Sequence, residues 1–175
     1  MEDVTKKTWL EVALNGPWTQ EKQARIPIKV EDIVQQGIAC VNAGAAIVHV
    51  HAYDEETGRQ KDDVDVYKKI IEGIRTEVDA IVYPTVSASG MNPIDERSTG
   101  EDRYAHIESL AKDGFLEWTV LDPGSCNFSH YDQLKEDKVG YVYQNSEADA
   151  RHGMGVAHKY GLHPSYAIYE PGFAR

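Results

Sequence analysis

Short apolar runs alternate with amphipathic segments along the chain, and this alternation is the strongest constraint on its fold. The segments between the runs place apolar residues at helical spacing, as Ile33, Val34, Ile38 and Val41 do. Buried strands that alternate with helices predict parallel β-α units. The apolar runs lie in residues 8–16, 45–53, 80–90, 115–125 and 164–172.

Two α/β folds use such units, a doubly wound sheet and a (β/α)₈ TIM barrel. A dinucleotide-binding sheet needs a glycine-rich loop after its first strand, whereas NGPWTQ offers one glycine and a proline. In a barrel, the carboxyl ends of the strands line one mouth, where the chemistry takes place. Polar residues do collect at the predicted strand ends, so we predict the barrel. These residues are Asn15, His49, His51, Thr85, Ser87, Asp122 and Glu170.

The length of the chain limits how much of a barrel it can form. A TIM barrel takes roughly 250 residues, and this sequence has 175 residues. We therefore predict that residues 1–175 are a single domain, the N-terminal portion of a TIM barrel with about five β-α units. The alternative is that partner subunits cover the open strand edges.

The charge of the chain argues against two classes of partner. The 29 acidic and 18 basic residues give a net charge of −11, which disfavours nucleic acid and anionic membranes. The start lacks the apolar core of a signal peptide, and no apolar run approaches the length of a membrane span. Cys40 and Cys126 show no metal or redox spacing. We expect a cytoplasmic protein with reduced thiols.

The run IVHVHAYDEETGR carries two histidines, His49 and His51, one residue apart on a predicted strand. Side chains alternate across a strand, so both should face one side. They are either two zinc ligands or two structural histidines satisfied by hydrogen bonds. A zinc site needs a third ligand, often a carboxylate, and Glu170 is a candidate. Asp54 either orients a ligand or begins the DEETG turn.

The other five histidines are less promising as ligands. We predict that His106, His152 and His158 lie in helical segments and are surface residues. We predict that His130 and His163 lie in loops.

The motif HVHAYDEETGR (49–59), followed by an aspartate, resembles the hallmark of the beta-keto acid cleavage enzymes. The resemblance covers nearly the whole chain in order. Its further segments are ALNG (13–16), NAGAAIVHVH (42–51), LDPGSCNF (121–128), VYQNS (142–146) and PSYAIYEPG (164–172).

The resemblance implies a zinc-dependent TIM barrel that condenses a β-keto acid with acetyl-CoA, giving acetoacetate and a CoA thioester. By position, it makes His49 and His51 zinc ligands and lets Thr85 or Ser87 contact the substrate carboxylate. Asn127 lies where the fourth loop reaches the site. Asn15 and Glu170 join the candidate substrate-binding residues as polar strand ends. Members are generally oligomeric, so we expect a homo-oligomer.

The sequence departs from the family pattern at several points. Tyr53 stands where the family often has arginine, and Val120 and Ala167 replace a hydroxyl and an acidic residue. The turn PTVSASG is poorer in glycine, and the segment Met91–Arg103 is extra. The family's zinc-ligating glutamate and its catalytic arginine and aspartate correspond to positions beyond Arg175.

Two alternatives to the enzyme remain. One is a truncated, non-catalytic half-barrel that binds metal weakly. The other is an amidohydrolase-like metal hydrolase, which also uses an H-x-H pair. In that class the pair usually ends the first strand, whereas here a strand and a helix precede it.

Overall fold

A computed structural model of the protein describes residues 8–87, 99–129, 131–138 and 140–174. The chain divides into two compact units, Met1–Pro84 and Thr85–Arg175. Both are mixed α/β, as the alternating pattern predicted. No helix in the described ranges is long and apolar enough to cross a bilayer.

The first unit is built around a parallel sheet with the strand order β1-β2-β5. Its register places Val12 beside Val48 and Val48 beside Val82. This arrangement confirms the predicted parallel β-α units for this part of the chain. The elements are β1 (Glu11–Ala13), α1 (Val30–Asn42), β2 (Ile47–Val50), β3 (Tyr53–Asp54), β4 (Arg59–Gln60), α2 (Val64–Glu77) and β5 (Ile81–Pro84).

Helices α1 and α2 pack closely because a glycine on each meets a branched side chain on the other. A Cβ atom added to Gly37 would lie 2.6 Å from Cδ1 of Ile74, and one on Gly73 would lie 2.8 Å from Cγ2 of Val34. Ile74 is fully buried. The tight contact fixes the two helices relative to each other and to the strands that they connect.

The second unit contains a parallel pair, β6-β9, and an antiparallel pair, β7-β8. Its two long helices begin with reciprocal capping boxes, Thr99 with Asp102 and Ser146 with Asp149. The elements are α3 (Gly100–Lys112), β6 (Trp118–Leu121), β7 (Cys126–Phe128), α4 (Tyr131–Lys135), β8 (Tyr141–Tyr143), α5 (Glu147–Tyr160), β9 (His163–Tyr166) and a 3₁₀ helix (Pro171–Ala174).

The structure adds two antiparallel pairs, β3-β4 and β7-β8, that the sequence did not predict. All five predicted strands are present, but each is shorter than its apolar run. Of the segment Met91–Arg103, residues 91–98 lie outside the described residues, and α3 begins at Gly100.

Two expectations about the isolated histidines are wrong. His106 is buried, and its Nε2 lies 2.8 Å from the carbonyl oxygen of Thr85. A hydrogen bond to the backbone offsets the cost of burying this ring. His163 is exposed but begins strand β9 instead of lying in a loop. His158 is exposed as expected, His152 is half-buried, and His130 lies outside the described residues.

Candidate functional site

Strand β2 brings His49 and His51 together at its carboxyl end. Their ring centroids lie 5.2 Å apart, with the rings edge to face. Val48 and Val50, the residues that alternate with them, are fully buried. The strand therefore holds the two imidazoles as neighbours while its valines anchor it in the core.

His49 packs against Tyr83 of the adjacent strand β5, with ring centroids 4.8 Å apart. The Tyr83 hydroxyl donates to a carboxylate oxygen of Glu11 on β1. Nδ1 of His49 is buried and has no hydrogen-bond partner among the described residues. Burial, reinforced by the nearby His51, lowers the pKa of His49 to about 3. The ring is therefore neutral, and it has a nitrogen that another group could satisfy.

The backbone of His51 is held by the side-chain amide of Asn15. The His51 N–H donates to Asn15 Oδ1 at 2.8 Å, and Asn15 Nδ2 donates to the His51 carbonyl oxygen at 3.1 Å. The same Nδ2 also donates to the carbonyl oxygen of Pro27 at 3.1 Å. Asn15 thus fixes the end of β2, and any contact that it makes with substrate remains a prediction.

The His51 side chain is also held by a neighbour. Its Nδ1 lies 2.8 Å from Oε1 of Gln60, on strand β4. The pKa of His51 is lowered, chiefly by burial, against the opposing effects of the Gln60 hydrogen bond and of Asp62. His51 is therefore neutral near pH 7, as a metal ligand must be.

Asp54 organises the turn between β3 and β4. Its Oδ1 accepts from the backbone N–H groups of Glu56 and Thr57 and from the Thr57 hydroxyl. These bonds, led by the Thr57 N–H, lower the pKa of Asp54. Of the two roles left open by the sequence, the structure shows the turn. Tyr53, at the position where the family often has arginine, donates its hydroxyl to the carbonyl oxygens of Gly16 and Trp18.

The two imidazoles fit part of a zinc site. Two neutral rings meet at a strand end, and one has an unpartnered nitrogen, which suits nitrogen ligation. No group of three His, Cys, Asp or Glu residues that could hold a metal occurs within the described residues. His49 and His51 could therefore serve as two zinc ligands, and a complete site would need a third.

The other candidate substrate residues lie in the second unit. Thr85 is buried, and its hydroxyl donates to the carbonyl oxygen of Val86 at 3.2 Å. The carbonyl oxygen of Ser87 accepts from Nε of Arg103 at 2.8 Å. Asn127 on β7 and Glu170 before the 3₁₀ helix are both exposed.

Arg103 is at the centre of a polar network that the sequence did not reveal. Its side chain is 1% exposed and donates to the carbonyl oxygens of Ser87 and Gln144 and to Asn145 Oδ1. Asn145 in turn exchanges two bonds with Ser125, at 2.8 and 2.9 Å. The network joins the LDPGS and YQNS segments. The quoted motifs contain Asn145 and Ser125, but nothing in the sequence marked Arg103.

Asp122 lies beside this network with one oxygen unpaired. Its Oδ2 accepts from the Tyr143 hydroxyl, while Oδ1 is buried without a partner among the described residues. Burial raises the pKa of Asp122, although the Tyr143 bond and Arg103 act in the opposite direction. A buried carboxylate at the end of β6 is a further candidate for chemistry.

Comparison with known proteins identifies the group to which the chain belongs. Residues 7–175 match the model of the beta-keto acid cleavage enzyme family. A 3-dehydrocarnitine:acetyl-CoA trimethylamine transferase of Rhizobium meliloti is 26% identical, over 97% of this chain and 57% of its own length. A 3-keto-5-aminohexanoate cleavage enzyme of Fusobacterium nucleatum is 26% identical, over 88% of this chain and 49% of its own length.

A third relative, a 3,5-dioxohexanoate:acetyl-CoA acetone transferase of Paraburkholderia graminis, is 27% identical over 65% of this chain and 33% of its own length. The chain thus spans about half the length of the first two relatives. The match over residues 7–175 confirms the resemblance inferred from the motifs. On this basis, the chain belongs to the beta-keto acid cleavage enzyme family.

Proposed function

We propose that the chain is the N-terminal portion of a TIM-barrel enzyme that condenses a β-keto acid with acetyl-CoA to give acetoacetate and a CoA thioester. Family membership supports this reaction class, and the names of two of the relatives include acetyl-CoA. The observation that carries the proposal is the pair His49 and His51, two neutral imidazoles in contact at a strand end.

The cofactor that we propose for this site is Zn²⁺, with His49 and His51 as ligands. A bound zinc ion would polarise the keto oxygen of the substrate and stabilise enolate charge. The chain itself would hold the ligands in place, through Tyr83 against the ring of His49 and Asn15 on the backbone of His51. We propose a carboxylate as the third ligand, with Glu170 as the candidate in this sequence.

We propose further that substrate contacts come from the polar strand ends and loops. Thr85 or Ser87 would bind the substrate carboxylate, and the exposed side chain of Asn127, on β7, would also contact the substrate. Asn15 and Glu170 complete the set. We also propose a cytoplasmic location and a homo-oligomeric state.

A second candidate is a non-catalytic half-barrel of the same family. It is favoured by the absence of a third metal ligand close to the histidine pair in the described part of the chain. Both candidates predict zinc at His49 and His51, but they differ in its affinity and in activity. The family match leaves the amidohydrolase alternative without support.

The first test is the zinc content and zinc affinity of the purified 175-residue chain. We expect near-stoichiometric zinc in the parent and loss of zinc in His49→Ala combined with His51→Ala. His158→Ala, which removes an exposed histidine on α5, is the matched control and should bind like the parent. Unchanged stoichiometry in the double variant would exclude the assigned ligands.

The second test is acetoacetate formation from acetyl-CoA and a panel of β-keto acids. Product that depends on His49 and His51 would support the enzyme. Weak zinc binding without product would support the half-barrel instead.

A further inference from the structure

The side chain of His51 is the first member of a hydrogen-bonded relay. His51 Nδ1 lies 2.8 Å from Gln60 Oε1, and Gln60 Nε2 donates to Asp62 Oδ1 at 3.1 Å. The Tyr67 hydroxyl donates to the same Asp62 oxygen at 3.0 Å. The relay therefore runs from the candidate metal site to a fully buried tyrosine on α2.

The direction of each hydrogen bond in the relay can be assigned by starting from Tyr67, the residue farthest from His51. Burial, together with Asp62, raises the pKa of Tyr67 well above its usual value, so the hydroxyl keeps its proton and donates. A carboxylate oxygen only accepts, so the amide nitrogen of Gln60 must face Asp62 and its oxygen must face His51. An amide oxygen also only accepts. Nδ1 of His51 must therefore carry the hydrogen, which leaves the lone pair on Nε2.

The backbone explains how Gln60 reaches His51. Strand β3 starts two residues after His51, and β4 returns antiparallel to it with Gln60 opposite Tyr53. The Lys61 N–H then donates to the carbonyl oxygen of Ala52 at 2.9 Å and extends the pairing. The small hairpin thus folds Gln60 back onto the end of β2.

We propose that Gln60, oriented by Asp62 and Tyr67, is a positioning residue that holds His51 as its Nδ1–H tautomer and presents Nε2 as the ligand atom. This inference deepens the proposed function and rests on it for the identity of the ligand. A hydrogen bond on the far nitrogen of a ligating imidazole fixes its tautomer and orientation, and losing such a bond typically weakens metal binding 10- to 100-fold.

The test is the tautomer of His51 in the metal-free chain. Histidine labelled with ¹⁵N and long-range ¹H–¹⁵N correlation distinguish the two forms at about pH 8, where a free imidazole is neutral. The His51 signals are assigned by comparison with His51→Ala. We expect the Nδ1–H form alone in the parent. Predominance of the Nε2–H form would overturn the inference.

Three variants test the role of Gln60. Gln60→Leu removes the acceptor, so both tautomers should be populated and the zinc dissociation constant should rise about 10- to 100-fold. Gln36→Leu, at an exposed glutamine on α1, is the matched control and should change neither property. The double variant Gln60→Glu with Asp62→Asn reverses the bond between positions 60 and 62, because the amide at 62 then donates to the carboxylate at 60. It keeps an acceptor oxygen opposite His51 Nδ1, so it should restore the Nδ1–H form.

The outcomes separate this inference from the proposed function. If Gln60→Leu keeps the tautomer and zinc affinity of Gln36→Leu, or if the double variant behaves like Gln60→Leu, the inference is wrong. If the parent chain binds no zinc, the proposed zinc site fails, while the metal-free tautomer still decides whether Gln60 positions His51.

Discussion

Arg103 and Asp122, both buried in the second unit, differ in how many hydrogen bonds their charged groups make. The guanidinium of Arg103 donates to three oxygen acceptors and lies 3.5 Å from a carboxylate oxygen of Asp149. Asp122 receives one bond, from Tyr143, and its other oxygen is unpaired among the described residues. A buried charge that lacks hydrogen bonds reduces stability, so we expect Asp122, and not Arg103, to destabilise the folded chain.

Replacing Asp122 with asparagine should change the pH dependence of stability. The pKa of Asp122 is raised in the folded chain, so the native state binds its proton more tightly than the unfolded state does. Stability therefore falls as pH rises from the unfolded pKa through the folded one, and the burial cost is complete above that range. An amide does not titrate, so the stability of Asp122→Asn relative to the parent should increase with pH.

The measurement is thermal unfolding of both proteins between about pH 3 and pH 8, a range that begins below the pKa of a free aspartate, about 3.9. Asp79→Asn, at an exposed aspartate, is the control and should follow the parent at every pH. A difference between Asp122→Asn and the parent that is flat, or that falls with pH, would contradict the prediction.

In helix α5, replacing glycine with alanine should change stability in opposite directions at two positions, one inside the helix and one at its end. Gly161 ends the helix with a φ of 66°, in the left-handed region, and its N–H caps the last turn. Gly155 lies inside the same helix, is exposed, and has nothing within 4 Å of an added Cβ. Backbone conformation alone therefore separates the two sites.

We expect Gly161→Ala to destabilise the chain by about 1–2 kcal/mol, because an L-residue is strained in the left-handed region. Gly155→Ala should stabilise it by about 0.5–1 kcal/mol, because alanine restricts the unfolded chain and favours helix. Chemical denaturation measures both, and each variant is the control for the other. Equal effects of the same sign would show that the helix end is not set by this cap.

The elements that could be predicted are those whose signals are local. Apolar spacing of Ile33, Val34, Ile38 and Val41 located the helix that became α1, and apolar runs located the five parallel strands. The β3-β4 pair was not predictable, because strands of two residues have no periodicity to detect. The β7-β8 pair joins segments separated by a helix, so its pairing depends on tertiary contacts.

The candidate site was predictable only in part, for a similar reason. Alternation along a strand placed His49 and His51 side by side. Gln60 could not be found from the sequence, because its role depends on the hairpin that returns it to His51. His106 was predicted to be a surface residue, and nothing in the sequence marked Arg103 as buried. Their burial depends on acceptors, such as the carbonyl oxygens of Thr85 and Ser87, that lie far away in the sequence.

At the scale of the whole molecule, exposed apolar surface bears on the proposed homo-oligomer. Tyr166, Ile168 and Tyr169, which we name the β9 patch, are 48–55% exposed. They lie at and just after a strand that pairs only with β6 among the described residues. Exposed apolar side chains beside a strand edge favour association.

We therefore expect the purified chain to self-associate through the β9 patch. Its mass, measured by light scattering over a range of concentrations, should exceed that of a monomer and fall on dilution. Ile168→Lys should shift the chain toward the monomer, because association would bury an unpaired charge. Met154→Lys, at an equally exposed apolar residue on α5, is the control and should leave the mass unchanged. A parent chain that is monomeric at every concentration, or equal effects of the two lysines, would contradict association through this patch.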